Sequence, residues 1–565
     1  MYPYLPLKRL PQIQVKHYNR THKVSFLCRA SLNMRLHWFS IFILLTASLV
    51  LVHYLPFWKD VEFGDETTYL GSGLSFSIPF KGGVQWGPLY AAWYAFWHFF
   101  IPNSLNLYYF NWALLSVLAG ISVFIFVRSL GVSLAAATWI AVLFLFSDQN
   151  VPLNPKISIA PFCLILGVLA LIQLRSWSNS RRFLVISLVG LLCAYCRPEF
   201  YISFLLALII AVFWLWKEKG ILQPTLMRWA GVFVILAVGL HLLFGNPLFT
   251  GDDNRSTVAF QQHFVVNYSA WMNQPEPSTI EAQLQLFHKV MGENVHTLTD
   301  AIKMQPQWTF KHITTNIVHT VTANLTNVVS IFYQTLFRGW YSPWRMGVAV
   351  GILLVFLFLI DYKTTTRNFR KKPVDGWGFV GLITLLIPTL IATVLIYPRT
   401  HYLIFHLVLV LWVIAFVLSR LSLRKVKIMQ PFSAAFLALL VLSIFVTVRV
   451  PEYHRKAPTP TADNVRFITQ LTPKERLRVL ERDWYRVFLK DGSDWIHVEE
   501  YRDGNFAKFV RDKNINFILM TQDMQSYFGK DAGFASFLNQ YKSEGFVNLP
   551  TNSEGAYLFI KQSLL

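Results

Sequence analysis

Apolar residues in this chain gather into eleven runs of 16 to 23 residues, at about 37–56, 105–127, 131–147, 155–174, 182–197, 200–216, 224–244, 344–361, 377–396, 401–419 and 431–449. Each run is near the ~20 residues that an α-helix needs to cross the hydrocarbon layer of a bilayer. The pattern therefore predicts an all-α polytopic membrane bundle of about eleven transmembrane helices. Residues 182–216 also read as one broken helix instead of two spans, which would change the count.

The polar residues between the runs are unevenly distributed. Three segments are large, 57–104, 245–343 and 450–565, and alternation from helix to helix puts all three on one side. Within the first, Trp86-Gly87-Pro88-Leu89-Tyr90 opens an aromatic stretch that continues through Trp93, Tyr94, Phe96, Trp97, Phe99 and Phe100 to Pro102. It is short for a span, and its rings suit the headgroup layer. It is expected to be a helix lying on the outer surface, with Pro88 at an early helical position. Within the second, Asn316–Phe337 carries apolar residues at helical spacing, interrupted by Asn316, His319, Thr320, Asn324 and Asn327. An interfacial or bundle-capping helix is expected there.

Past residue 450 the pattern changes to that of a soluble domain. Pro451, Pro458 and Pro460 mark a linker. Strand-like runs at Leu477–Leu480, Trp495–Val498, Ile515–Met520 and Ala556–Ile560 then alternate with helix-like ones at Ala462–Leu471, Asn505–Asp512 and Ala532–Tyr541. This alternation predicts a small α/β domain on the outside. The chain thus divides into a basic arm (1–36), a membrane domain (37–450, with outside loops 57–104 and 245–343) and a soluble domain (451–565).

Charge sets the orientation. Lys8, Arg9, Lys16, Arg20, Lys23, Arg29 and Arg35 hold the N-terminal arm in the cytoplasm. With alternation from there, 23 Lys and Arg fall inside and 12 outside before residue 450, against 3 and 12 acidic residues. The first apolar run is expected to be an uncleaved anchor. Residues 451–565 are nearly balanced, at 16 basic to 15 acidic, so the formal charge of +21 reflects topology. No basic soluble face suggests a nucleic-acid partner. Overall, 54% of residues are hydrophobic and 14% charged, well below the share of charge in soluble domains. The four cysteines, Cys28, Cys163, Cys193 and Cys196, avoid the outside loops, so no structural disulfide is expected. Cys193-x-x-Cys196 has redox spacing but lacks the βαβ context, and reads as small buried residues.

The candidate chemistry begins at Phe63-Gly64-Asp65-Glu66-Thr67-Thr68-Tyr69, just past the outer end of the first helix. Two adjacent carboxylates beside hydrocarbon are costly and point to a task, although a solvated acidic loop together with Asp60 and Glu62 accounts for them equally well. If the first helix continued through them, their side chains would point about 100° apart. Outside cations include Lys81, Arg197, Arg338 and Arg399. Arg197-Pro198-Glu199 sits at the turn between the fifth and sixth spans, and Arg399-Thr400-His401-Tyr402 opens the tenth. Such arginines can also simply snorkel to the interface, and Arg197 can pair with Glu199. Asp148 is the acid of the short turn between the third and fourth spans, where a cap before Pro152 is an equal account. His263, near Asp252 and Asp253, could join a metal site, but no ligand spacing identifies a metal. Asn254-Arg-Ser, Asn267-Tyr-Ser and Asn324-Leu-Thr match the glycosylation sequon.

Sugar transfer from a lipid phosphate needs a carboxylate base for the acceptor hydroxyl and cations for the departing phosphate, at the membrane surface. On Asp65-Glu66 with Tyr69, Trp86-Gly-Pro-Leu-Tyr90, Arg197-Pro-Glu199 and Pro398-Arg399-Thr-His-Tyr402, the chain resembles the GT-C superfamily of polyprenyl-phosphate-sugar-dependent glycosyltransferases. Within it, the chain looks most like the family 39-like protein O-mannosyltransferases and lipid A aminoarabinose transferases. The resemblance covers residues 37–450 in layout and these short motifs in letters. It implies an inverting transfer in which Asp65 matches the catalytic carboxylate and Glu66 assists in acceptor or metal binding. Lys81 and Arg399 match phosphate-side residues, Arg197 less closely, and Asp148 matches an acid of the second outside loop. Tyr69, Asp148 and His263 are the acceptor or metal candidates. A divalent cation, Mg or Mn, is compatible with the resemblance. The implied partners are a polyprenyl-phosphate-sugar donor and membrane lipid, with a glycan, lipid or protein acceptor, in a bacterial inner membrane. No motif names the sugar. A transporter or flippase for lipid-linked glycans would need charged span centres and two related halves, and neither is visible. A non-catalytic assembly protein is the remaining alternative.

Overall fold

The computed structural model describes residues 20–331, 354–422 and 458–565, apart from 81–82, 219–222, 248–254, 278, 296, 355–356, 372–374, 472–475, 483, 490–492, 503, 530 and 552–555. The chain is mostly helical. In order, α1 is Arg20–Trp58, α2 Asp65–Leu74, α3 Pro88–His98, α4 Ser104–Ser129, α5 Leu134–Leu145, α6 Ile159–Leu174, α7 Asn179–Ala194, α8 Tyr201–Lys217 and α9 Pro224–Phe244. Then come α10 Arg255–Trp271, α11 Ile280–Met291, α12 Leu298–Met304, α13 Pro306–Val329, α14 Tyr362–Lys371, α15 Gly376–Leu395 and α16 Thr400–Leu418.

Among the described residues seven helices are long and apolar enough to cross a membrane: the Trp38–Trp58 part of α1, α4, α6 extended back to Lys156, α8 extended back to Pro198, α9, α15 and α16. They mark an integral membrane protein. The expected spans at 131–147 and 182–197 are shorter. At ~1.5 Å per residue, α5 covers only about 18 Å and α7 about 24 Å. Ile140 to Phe146 are all buried, so α5 is walled in by its neighbours instead of facing lipid. The region 182–216 is two helices, α7 and α8, packed side by side across a turn at 195–200. Most of 344–361 and all of 431–449 lie outside the described residues. Pro388 sits inside α15 and cannot donate to the carbonyl of Thr384. Ser203 Oγ of α8 bonds that carbonyl instead, at 2.9 Å.

The aromatic stretch does form a short helix, α3, with Pro88 in its first turn. Its Tyr90 and Tyr94 face inward and its Phe96 outward, and Phe100, just past its end, is also exposed. The Asn316–Phe337 segment is helical over its described part, within a longer helix. The helix is Pro306–Val329, and its polar residues are the packed ones: Thr309, His312, Asn316, Thr320 and Asn327 are buried against α15 and α16. Residues 332–337 lie outside the described residues.

The C-terminal part contains α17 (Pro460–Gln470), α18 (Phe506–Asp512), α19 (Gln522–Phe528) and α20 (Ala532–Gln540) around a five-stranded sheet. The strands are β1 Arg478–Leu480, β2 Asp494–Ile496, β3 Phe517–Met520, β4 Phe546–Pro550 and β5 Tyr557–Lys561, in the order β2-β1-β3-β5-β4. β1 pairs parallel with β2 and β3, whereas β5 pairs antiparallel with β3 and β4. Side chains alternate across the pleat. Ile518 and Met520 join Phe506, Phe528, Phe534 and Phe537 in a separate core. Phe517 and Leu519 join Val465, Ile468, Val487 and Phe488 in a cluster continuous with the membrane bundle.

That continuity fixes the sheet over the loop after α1. Asp60 accepts the backbone N–H groups of Thr461 (3.0 Å) and Ala462 (2.8 Å), capping α17. Phe63 meets Tyr485 edge-on at 4.6 Å, and Val487 packs on Gly71 of α2. The end of the bundle carrying α2, α3 and the sheet is called the site face below.

Candidate functional site

The site grows from the break between α1 and α2. The first helix does not run through the acidic pair. It stops at Trp58, and after an extended loop Asp65 becomes the first residue of α2, with both acids in the first turn. Carboxylates there complement the positive end of the helix dipole.

The two neighbours part company at once. Glu66 is fully buried, and Asp65 is partly exposed. Glu66 Oε1 accepts from the hydroxyls of Tyr90 (2.7 Å) and Tyr94 (2.6 Å) and from Asn111 Nδ2 (3.3 Å). Its Oε2 accepts the backbone N–H of Lys156 at 2.6 Å. Asn111 Nδ2 also donates to both tyrosine hydroxyls at 2.8 Å, and Asn111 Oδ1 accepts Trp93 Nε1 at 2.8 Å. One carboxylate thus ties together α2, α3, α4 and the start of α6. Burial pushes the Glu66 carboxyl above its ordinary range, and the Tyr94, Tyr90 and Lys156 donors only partly offset this. Burial, and Glu66 beside them, push Tyr90 and Tyr94 well up, so both stay neutral donors.

The tie depends on a close crossing. A Cβ on Gly73 would fall 2.3 Å from Tyr94 Cβ and 3.0 Å from the Ala91 carbonyl, so only glycine lets α2 approach α3 this closely. At the other end of α3, Gly87 has φ +62°, and a Cβ there would meet Ile157 Cδ1 at 2.8 Å and the Cys196 carbonyl at 2.9 Å. Leu89 N donates to the Tyr195 carbonyl at 3.1 Å. The Trp86-Gly87 turn is therefore seated on the turn that carries Arg197.

Arg197 is buried. Its Nε bonds Glu199 Oε1 at 2.9 Å, and its guanidinium lies 4.8 Å from the Tyr402 ring centre. Burial alone would lower its basicity, but Glu199, Tyr402 and Tyr69 together carry it upward, so the cation is permanent. Tyr69 is buried and meets Tyr90 edge-on at 5.5 Å. It is four residues after Asp65, and positions i and i+4 share one helix face. Tyr69, Arg197 and Tyr402 thereby form one connected set, and Asp65 shares the helix face of Tyr69. Arg399 caps α16 three residues before Tyr402. On α10, His263 stacks on Tyr397 at 4.9 Å, and burial, then Arg399 and His312, push it down to about 3. It is neutral at any working pH.

Beneath the loop, Lys59 and Lys156 share one ring. Their ammonium groups lie 4.4 Å and 5.1 Å from the Trp112 centre. Lys59 also pairs with Glu62, and burial pushes it down to about 8 against the pull of Asp60 and Glu66. Lys156 Nζ donates to the Asn150 carbonyl at 2.5 Å.

The structure therefore brings together Tyr69 and Arg197, and places Arg399 beside His263. Asp148 is partly buried in the turn before Asn150, and Lys81 lies outside the described residues. Among the described residues no group of three or more His, Cys, Asp or Glu side chains converges as a metal site. Of the sequons, Asn267 is buried and bonded to His312 and Asn316, Asn324 is bonded to His406, and Asn254 lies outside the described residues. Sequence reasoning missed the partners of Glu66. The signals were there: a tyrosine pair at i and i+4 on α3, an amide, Asn111, two turns into the apolar α4, and a lone lysine, Lys156, in an otherwise apolar span.

No protein-family model and no curated protein sequence matches the chain. Among solved structures it is similar to crystal structures of the Archaeoglobus fulgidus oligosaccharyltransferase. With the form in complex with Zn and sulfate it shares 15% identity over 86% of this chain and 69% of that one, at a TM-score of 0.40. With the form tethered to an acceptor peptide containing the NVT sequon it shares 12% identity over 93% and 74%, at a TM-score of 0.37.

Proposed function

We propose that the protein is a membrane glycosyltransferase that moves a sugar from a polyprenyl-phosphate donor to an acceptor hydroxyl outside the cytoplasm, with inversion. The observation that carries this reading is the division of labour in the acidic pair. Glu66 is spent on four donors and holds the first turn of α2, while Asp65 stays partly exposed on the helix face shared with Tyr69, whose hydroxyl acts on Arg197.

In this reading Asp65 accepts the proton of the acceptor hydroxyl as its oxygen attacks the anomeric carbon. The bond from that carbon to the phosphate oxygen breaks, and the lipid phosphate leaves with the electron pair. Arg197 and Arg399 face the charge that develops on that phosphate. Lys81, expected on the phosphate side, is a third candidate. Glu66 is a positioning residue: it touches the protein, not substrate. No cluster of three or more metal-ligating side chains occurs among the described residues, and no step is routed through a metal ion. The charge bias of the loops supports an extracytoplasmic site face and an N-terminus in the cytoplasm of a bacterial inner membrane.

The test is transfer of labelled sugar from a panel of polyprenyl-phosphate sugars by purified protein and by Asp65→Asn, each with and without EDTA. Removal of a general base costs about 10²–10⁴-fold in rate. Equal rates for the two proteins would remove Asp65 from the chemistry.

A further inference from the structure

α13 is built inside out for water. Its packed face is polar. His312 and Asn316 bond the Ile396 carbonyl at 3.0 Å and 3.1 Å, Asn316 also bonds the Val394 carbonyl at 3.1 Å, and Asn324 bonds His406 Nδ1 at 2.9 Å. Its outward face is mostly apolar: Phe310, Ile317, Val318, Val321, Leu325 and Val329 are exposed, with His319, Thr322 and Thr326 between them. In water the hydrophobic effect would turn this helix over. In hydrocarbon the arrangement is favourable, because polar side chains hold helices together and apolar ones face lipid.

Three further observations point the same way. Three of the threonines outside the packed seam turn back on their own helix. Thr314, Thr322 and Thr326 each donate back to the carbonyl four residues earlier, at 2.9–3.0 Å, as hydroxyls in hydrocarbon must. From His312 to Val329 no Asp, Glu, Lys or Arg occurs, and that stretch is about 27 Å long, near the ~30 Å of the hydrocarbon layer. Just above it, Lys311 turns to the Trp271 and Trp308 rings, at 4.5 Å and 5.4 Å.

The bonds also give direction. His312 meets the last turn of α15 at the site face, and Asn324, three turns on, meets the second turn of α16. The helix therefore descends from the site face beside two membrane-crossing helices, whose exposed Ile391, Val413 and Val417 continue its apolar surface. We propose that α13 lies within the bilayer, its outer face covered by lipid acyl chains. It would then anchor the 255–304 segment, including His263, to the membrane by a polar seam instead of letting it rest on the surface.

Nitroxide spin labels at Gln307, Val318, Val321 and Leu325, one at a time, test this in reconstituted vesicles of phosphatidylcholine and phosphatidylglycerol. Cys28, Cys163, Cys193 and Cys196 are first replaced by serine. The expected result is a ratio of oxygen to nickel-chelate collision rates that is several-fold higher at Val318, Val321 and Leu325 than at Gln307. High nickel-chelate access at all four sites would put the face in water and overturn the proposal. Low access to both reagents at Val318, Val321 and Leu325 would mean that protein, such as a second copy of the chain, covers the face, and would overturn it equally.

Discussion

Replacing Glu66 by glutamine changes one atom at the centre of the site, and the bonds around it set the cost. If the new amide nitrogen faces Lys156 N, two donors meet at the 2.6 Å now spanned by a hydrogen bond, and a buried N–H loses its acceptor. If it faces the tyrosines, their hydroxyls already accept from Asn111 Nδ2, so both phenolic protons are left without an acceptor. One or two orphaned buried donors at about 1–3 kcal/mol each put the loss near 2–5 kcal/mol. Tyr94→Phe removes one donor and should cost about 1–2 kcal/mol. Because both changes act on one network, the double variant should fall short of the sum by about 1 kcal/mol or more. The assay is unfolding in mixed micelles titrated with SDS, following helical circular dichroism for the four proteins. Asp65→Asn, on the partly exposed first position of the same helix, should stay within about 0.5 kcal/mol of the native protein. A Glu66→Gln protein as stable as the native one, or strict additivity with Tyr94→Phe, would refute the view that this carboxylate holds α2.

Asp60→Ala should destabilise the start of α17 by about 1 kcal/mol, seen as faster amide exchange over 461–466 with the sheet core unchanged; uniform exchange across the chain would contradict the cap. Gly87→Ala combines a left-handed φ with contacts to Ile157 and the Cys196 carbonyl, so it should cost about 2–4 kcal/mol and disturb the Arg197 turn; native stability and activity would contradict the seating of that turn. Lys59 is depressed from 10.5 to about 8 when folded, so the unfolded chain binds more protons between those values and this residue makes stability rise with pH there. The contribution is complete above pH 10.5 and lost as pH falls through about 8. Lys59→Met should flatten the slope of stability between pH 8 and 10, and an unchanged slope would show that Lys59 is not buried as described.

Much of the membrane architecture was legible because hydrocarbon imposes a simple pattern: long apolar runs such as 105–127 and 401–419 became α4 and α16 with ends shifted by a few residues. Composition could not separate a lipid-facing helix from a helix buried in protein, which is why α5, equally apolar, was expected to span. In the α13 segment the polar positions were read as interruptions that favour an interfacial or bundle-capping helix over a span. Those same residues bond the ends of α15 and α16, and neighbours cannot be seen in a single stretch of sequence. In the C-terminal part β4 was missed because Phe546–Pro550 buries only Phe546 and ends in proline, as an edge strand can. At the site, the acidic pair drew attention for a sound reason, the cost of charge beside hydrocarbon. The opposite fates of Asp65 and Glu66 depend on α2 starting afresh after Gly64, and on Tyr90, Tyr94, Asn111 and Lys156 arriving from three other places in the chain.

The account stands most directly on Asp65. Initial rates of sugar transfer by the native protein and by Asp65→Asn, measured with the same polyprenyl-phosphate donor and with both proteins matched in unfolding midpoint, decide it. The account predicts a fall in kcat of about 10²–10⁴-fold with the fold intact. Transfer by the folded Asp65→Asn protein at the native rate would contradict it.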